Sequence, residues 1–248
     1  MRTPATLALA TAAALALHAA APAHACPGRP PTVDTLTLLT APGATIPADG
    51  ALLVQRGHAM DHDGTGAGAA WTIRRADGAA VAVTVEALGG GVERWVLAPT
   101  ARGRLEIVDA SGASVGTVER TAQRGARLAG PRARALTSTI TARVSRSFPG
   151  VPGGTTALTL ARPAPAGVRY LAVALVDAGG YPQAAWPAAP GQQRFASTTY
   201  AHKSCAGNGV SPLVAGQRVE LSWVDEFGRR SRPARATVGL GATPPGTP

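Results

Sequence analysis

The sequence predicts an all-β chain: two β-sandwich domains in tandem behind an export signal. Three observations carry that prediction. Short runs of alternating apolar and polar residues recur at intervals of ~8–12 residues, each bounded by Gly, Pro, Asp or Ser. No long stretch carries the apolar spacing of a helix. The 248 residues also exceed the about 100 that one such sandwich needs, and the rhythm breaks near the middle.

Residues 1–25, "MRTPATLALATAAALALHAAAPAHA", read as a secretory signal. Arg2 gives the positive start, Leu7 to Leu17 form an uncharged apolar run, and small residues follow. That run is shorter than the about 20 apolar residues a membrane-spanning helix needs, so no transmembrane segment is expected after cleavage. Two cuts satisfy the small-x-small rule. One follows Ala25 and releases a chain starting at Cys26; the other follows Ala23 and releases one starting at His24. The expected location is therefore the periplasm, the cell surface or the medium.

Cys26 and Cys205 are the two cysteines. An even count in an exported chain suggests a Cys26–Cys205 disulfide, and closing so long a loop contributes about 5 kcal/mol in the chain-entropy model. The alternative is a lipid anchor on Cys26 with Cys205 left as a thiol.

The formal net charge is +10, and Lys203 is the single lysine among the 24 basic residues. That skew, together with 30 Gly and 21 Pro, has a compositional reading in GC-rich coding. Its functional reading is attraction to anionic partners. Aromatic residues make up 4% of the chain, too few for a base-stacking surface, so nucleic acid is not an expected partner.

The first domain is assigned to residues 26–120. Its strands begin with "TLTLLTAP", pass the "IPADG" turn into "ALLVQ", and continue through "AWTIRR", "VAVTVEAL", "VERWVLAP", "RLEIVDA" and "SVGTVER". Val81, Val83 and Val85 fall on one face by period two, as do Trp71 with Ile73 and Leu105 with Ile107. Residues 121–136, "TAQRGARLAGPRARAL", break the pattern with arginines around Gly-Pro and read as a solvated linker. The second domain, 137–240, includes "TTALTLA", "RFASTTYA" and "VRYLAVALVDA", the last apolar on both faces like a central strand. It closes on "VELSWVDEFGRRSRPARATV". Residues 241–248 form a Pro/Gly tail expected to be disordered.

Two stretches carry a resemblance. "TIPADGALL" resembles the opening of bacterial immunoglobulin-like domains, where a Pro-x-Asp-Gly turn precedes an apolar strand. "VELSWVDEFGRRSRPARATV" is similar to the last hairpin of fibronectin type III and immunoglobulin-like sandwiches. The resemblance implies two immunoglobulin-like sandwiches and no particular activity. A second likeness, to periplasmic copper-binding proteins of the CopC type, rests on "APAHAC" followed by "IPADGA". It implies that His24, as a mature N-terminus, would chelate Cu(II) through its amine and ring; here the two features lie farther apart than in that family.

The most chemically loaded stretch is "RGHAMDHDGTG", residues 56–66. Extended, it would put His58, Met60 and His62 on one face, an imidazole and thioether set that suits copper, with Asp61 and Asp63 as oxygen ligands opposite. Its glycines suggest instead a polar loop. No Gly-x-Ser-x-Gly occurs, and Asp225 with Glu226 reads as turn chemistry rather than an acid/base pair. Tyr181 and Trp186, in a Pro-rich stretch read as a loop, and the basic Arg229 and Arg230 are the candidate binding surface. The expected function is a non-catalytic structural or adhesive module of the cell envelope. It would require no cofactor and would bind anionic envelope glycans or another envelope protein. The alternative is copper binding through the His58 loop.

Overall fold

Period-two alternation requires each strand to hide one face, and the chain does so by pairing sheets. The computed structural model describes residues 32–60, 70–141, 153–200 and 213–241. Among these there is no helix, and so none long and apolar enough to cross a membrane.

The N-terminal strands are β1 (Thr32–Leu38), β2 (Thr45–Ile46), β3 (Leu52–Met60), β4 (Thr72–Arg75), β5 (Val83–Gly89), β6 (Val92–Leu97), β7 (Gly103–Val108) and β8 (Ser114–Arg120). They form two four-stranded sheets, ordered β1-β3-β6-β5 and β2-β8-β7-β4. Lettered in chain order, with β1 and β2 sharing the first letter, these are the A-B-E-D and G-F-C sheets of an immunoglobulin constant-type sandwich. Between them lies a core that includes Ile46, Leu52, Val54, Ile73, Trp95, Leu105, Ile107 and Val118. Trp71 meets Trp95 edge to face at 6.0 Å. Val83 packs on this core as its spacing predicts, but Val85, two residues along the same edge strand, is 49% exposed.

The C-terminal strands are β9 (Ala133–Thr141), β10 (Gly153–Leu160), β11 (Val168–Leu175), β12 (Tyr181–Pro187), β13 (Arg194–Tyr200), β14 (Arg218–Asp225), β15 (Ala234–Thr237) and β16 (Gly239–Leu240). Their sheets run β13-β10-β9-β16 and β12-β11-β14-β15, a fibronectin type III-like arrangement. Leu136, Leu158, Leu171, Val173, Phe195, Leu221 and Trp223 are among the side chains that fill the space between them.

Two expectations shift. The connection expected over 121–136 is shorter, because Ala133–Leu136 already belong to β9. Arg134 looked like linker charge, but it is an exposed residue of a strand whose Leu136 is buried. The connection is also pinned rather than free. Leu128 packs on the C-terminal core, and the Arg132 carbonyl accepts from the Ala161 amide at 2.8 Å. The second shift concerns Trp186. It lies in β12, not in a loop, opposite Leu171, and is 9% exposed. Its ring stacks on Phe195 at 6.3 Å, so it is a core residue and not part of a binding surface. The prolines that suggested a loop sit on an edge strand, and Pro182 pairs where the β11–β12 register shifts; an edge and a bulge are the places where a strand tolerates a missing N–H.

Candidate functional site

Beyond the two cores the structure has a third apolar cluster. Leu53, Leu88 and Val92 come from the N-terminal sheets, Ala172 and Val224 from the C-terminal ones, and all are buried. Leu39, Tyr170 and Ala185 pack around them. This cluster is a seam between the two sheet pairs. It explains why β11 is apolar on both sides: Leu171 and Val173 enter the C-terminal core while Ala172 enters the seam.

The polar half of the seam joins the two turns on which the resemblance rests. The Asp225 carboxylate is 3% exposed as a residue and accepts from the Phe227 amide at 3.0 Å, the Arg229 amide at 2.8 Å and Arg229 Nε at 2.7 Å. These bonds shape a turn with Gly228 at φ 65°. Its carbonyls face the N-terminal strands. Phe227 O accepts from the Ala51 amide at 2.9 Å, and Gly228 O accepts from Arg94 Nε at 2.6 Å. A Cβ on Gly228 would lie 2.5 Å from the Ala51 carbonyl oxygen, and one on Gly50 would lie 2.9 Å from the Phe227 oxygen. Across the apolar half, a Cβ on Gly89 would stand 2.5 Å from the Ala184 nitrogen. The connection is tied in as well, with the Gly125 amide on Asp49 at 2.9 Å and Arg229 Nη1 on the Ala126 carbonyl at 2.7 Å.

Arg94 also pairs with Glu86. Arg230 reaches solvent nearby, yet partial desolvation and the like charge of Arg94 hold its guanidinium below the ordinary value, against the pull of Glu86 and Glu220. Arg229 is engaged with Asp225 at 2.6 Å and has little freedom to meet a ligand. Tyr170 is half-buried at the seam, and burial raises its hydroxyl above the usual phenol range, with Arg169 opposing.

A second polar cluster plugs one end of the N-terminal core. Arg56 on β3 donates to Glu93 at 2.6 Å and to Asp34 at 2.9 Å, and the Trp95 indole donates to Glu93 at 2.9 Å. The hydrogen bond that Arg56 donates to the Glu93 carboxylate is the main cause of its raised guanidinium. Both carboxylates are bound to one cation, a structural arrangement rather than an acid/base pair at reacting distance from a shared substrate. The chain stays extended beyond Arg56, so His58 and Met60 are strand residues, with His58 in register with Asp34. Asp61, His62 and Asp63 lie outside the described residues, as do Cys26 and Cys205. Among the described residues no group of three or more His, Cys, Asp or Glu is placed to hold a metal ion. For Tyr181 only its place in β12 is described.

No family model matches the chain, and no curated protein does. Among solved structures the chain is similar to the BSP domain of a biofilm-associated protein, at 13% identity and a TM-score of 0.27. That match covers 85% of this chain and spans only 30% of the other. It is also similar to the fibronectin(III)-like modules of CbhA from Clostridium thermocellum, at 9% identity and a TM-score of 0.25, over 83% of this chain and 94% of that one. The fold class therefore rests on the sheet orders above.

Two predictions follow from the seam. Gly228→Ala adds a clash with backbone to the strain of a positive φ, whereas Gly78→Ala, at φ 80° with open space around it, adds the strain alone. Urea unfolding should show about 1 kcal/mol lost for Gly78→Ala and at least ~2–3 kcal/mol for Gly228→Ala. The second concerns pH. Tyr170 has its proton affinity raised by folding, so its contribution is complete below the unfolded-state value of about 10 and is lost as pH rises through the folded-state value. Between roughly pH 8 and pH 11 the wild type should lose more stability than Tyr170→Phe.

Proposed function

We propose that the chain is an exported, non-catalytic structural or adhesive module of the cell envelope. In this reading it is built of two tandem sandwich domains held as one rigid body. The observation that carries the reading is the seam. Separating the sheet pairs would return Leu53, Leu88, Val92 and Val224 to water, on the order of 1.5–3 kcal/mol for each large side chain, and would break the Ala51–Phe227 and Arg94–Gly228 bonds. A flexible tether between independent domains needs none of this; neighbouring domains with small polar contacts move by default. A stiff two-sandwich unit suits a spacer or an adhesive that presents loops at a fixed distance from its anchorage. The positive charge suits anionic glycans of the envelope as partners.

The test is co-sedimentation of the purified chain with protein-stripped envelope fractions. Binding at low ionic strength, released as salt rises from roughly 0.05 M to 0.5 M, is the expected outcome. Failure to bind at any salt would contradict the adhesive reading. So would a Cu(II)-dependent rise in Tm that disappears in His58→Ala with His62→Ala, which would move the function to metal binding.

A further inference from the structure

The seam and the sheet surfaces engage many of the arginines. Arg56 pairs with Asp34 and Glu93, Arg94 with Glu86, Arg218 with Asp177, Arg229 with Asp225, and Arg235 with Glu220. Arg120 donates to the carbonyls of Ala48 and Ala98. Arg127, Arg132, Arg162 and Arg232 make no ion pair among the described residues, and all four are exposed. They line two adjoining hollows, of about 290 and 370 Å³, that share Ala129, Gly130 and Arg232. No acidic side chain is in either lining.

The groove is assembled by backbone contacts rather than by chance of loop position. The Ala161 amide donates to the Arg132 carbonyl at 2.8 Å, which sets Arg132 beside Arg162. A Cβ on Gly130 would stand 2.6 Å from the Arg232 carbonyl oxygen, so the connection lies directly against the β14–β15 loop. Pro131, Pro163, Pro165 and Pro233 stiffen the walls, since each fixes its own φ. The backbone that carries the four arginines is therefore fixed in place, and only their exposed side chains have rotamer freedom to lose on binding.

Resting on the adhesive reading above, we infer that this groove is the anion-binding site and that its ligand is a carboxylate-bearing polysaccharide. Unpaired guanidiniums match carboxylates in bidentate geometry. A lipid surface calls for apolar side chains beside the charges. The exposed large hydrophobics among the described residues are Val85, Val214 and Leu240, and none lines the groove. A single-stranded nucleic acid calls for exposed rings to stack on, and the one aromatic residue in the lining, Trp223, is 2% exposed.

The experiment measures binding of polygalacturonate to the full mature chain by calorimetry, at low and high salt. Three proteins are compared: the wild type, R132A/R162A/R232A, and R74A/R102A/R104A. The last set removes the same charge from exposed arginines of the N-terminal sandwich, Arg74 and Arg104 on strands and Arg102 just before β7. The groove variant should bind on the order of tenfold more weakly or not at all, and the remote variant close to wild type. Equal weakening in both variants would overturn the groove while leaving a charge-driven envelope module standing. Absence of wild-type binding to polygalacturonate, or binding instead to phosphatidylglycerol vesicles, would overturn the polysaccharide assignment. Circular dichroism and thermal melting of all three proteins establish that the variants are folded.

Discussion

The buried carboxylate of Asp225 makes its contacts inside its own turn, to two backbone amides and to the guanidinium of Arg229. That closure leaves the carbonyls of Phe227 and Gly228 pointing outward, where Ala51 and Arg94 meet them. The relation between the two sheet pairs depends on this turn. Without its rigid shape the Gly228 carbonyl would have no fixed position for Arg94 to bond, and the close approach of Gly228 to Ala51 would have no counterpart. The apolar half of the seam then adds burial on one side, and the docked connection adds bonds on the other.

Because the seam draws one face of β11 and β14 into a second apolar environment, those strands are buried on both sides, like central strands of larger sheets. Ser222 shows what that burial demands. It is 0% exposed, lies opposite Ala172, and its hydroxyl has no hydrogen-bond partner, a local cost that the surrounding packing offsets. At the same time the seam removes Arg94 and Arg229 from the pool of cations open to a ligand. Among the arginines left over, Arg127, Arg132, Arg162 and Arg232 fall along the connection and the neighbouring loops, which is where the basic groove forms.

Much of the architecture was legible in the residues. Alternation placed Ile73, Leu105 and Ile107 in the core, and the unbroken apolar run of β11 marked a central strand before its neighbours were known. The "PADG" and "DEFGRR" turns were read as turns, correctly, but their contact with each other was not legible, because it is made by backbone atoms and glycines far apart in sequence. Nothing in a local pattern says that Gly228 must lie against Ala51. Trp186 was misread for a related reason. Prolines normally signal a loop, and only the strand order shows that β12 is an edge with a bulge where Pro182 fits. The arginines of the proposed groove were not legible as a group. Arg229 and Arg230 were conspicuous in sequence, whereas Arg132 and Arg162 come together only through the Ala161–Arg132 bond.

Residual dipolar couplings of backbone amides in a weakly aligning medium test the central claim most directly, because they report the orientation of each sheet pair independently. If the seam joins both pairs into one body, couplings from β1–β8 and from β9–β16 fit a single alignment tensor of one magnitude. Two tensors of unequal magnitude would mean that the pairs reorient separately, and the rigid-module account would be wrong.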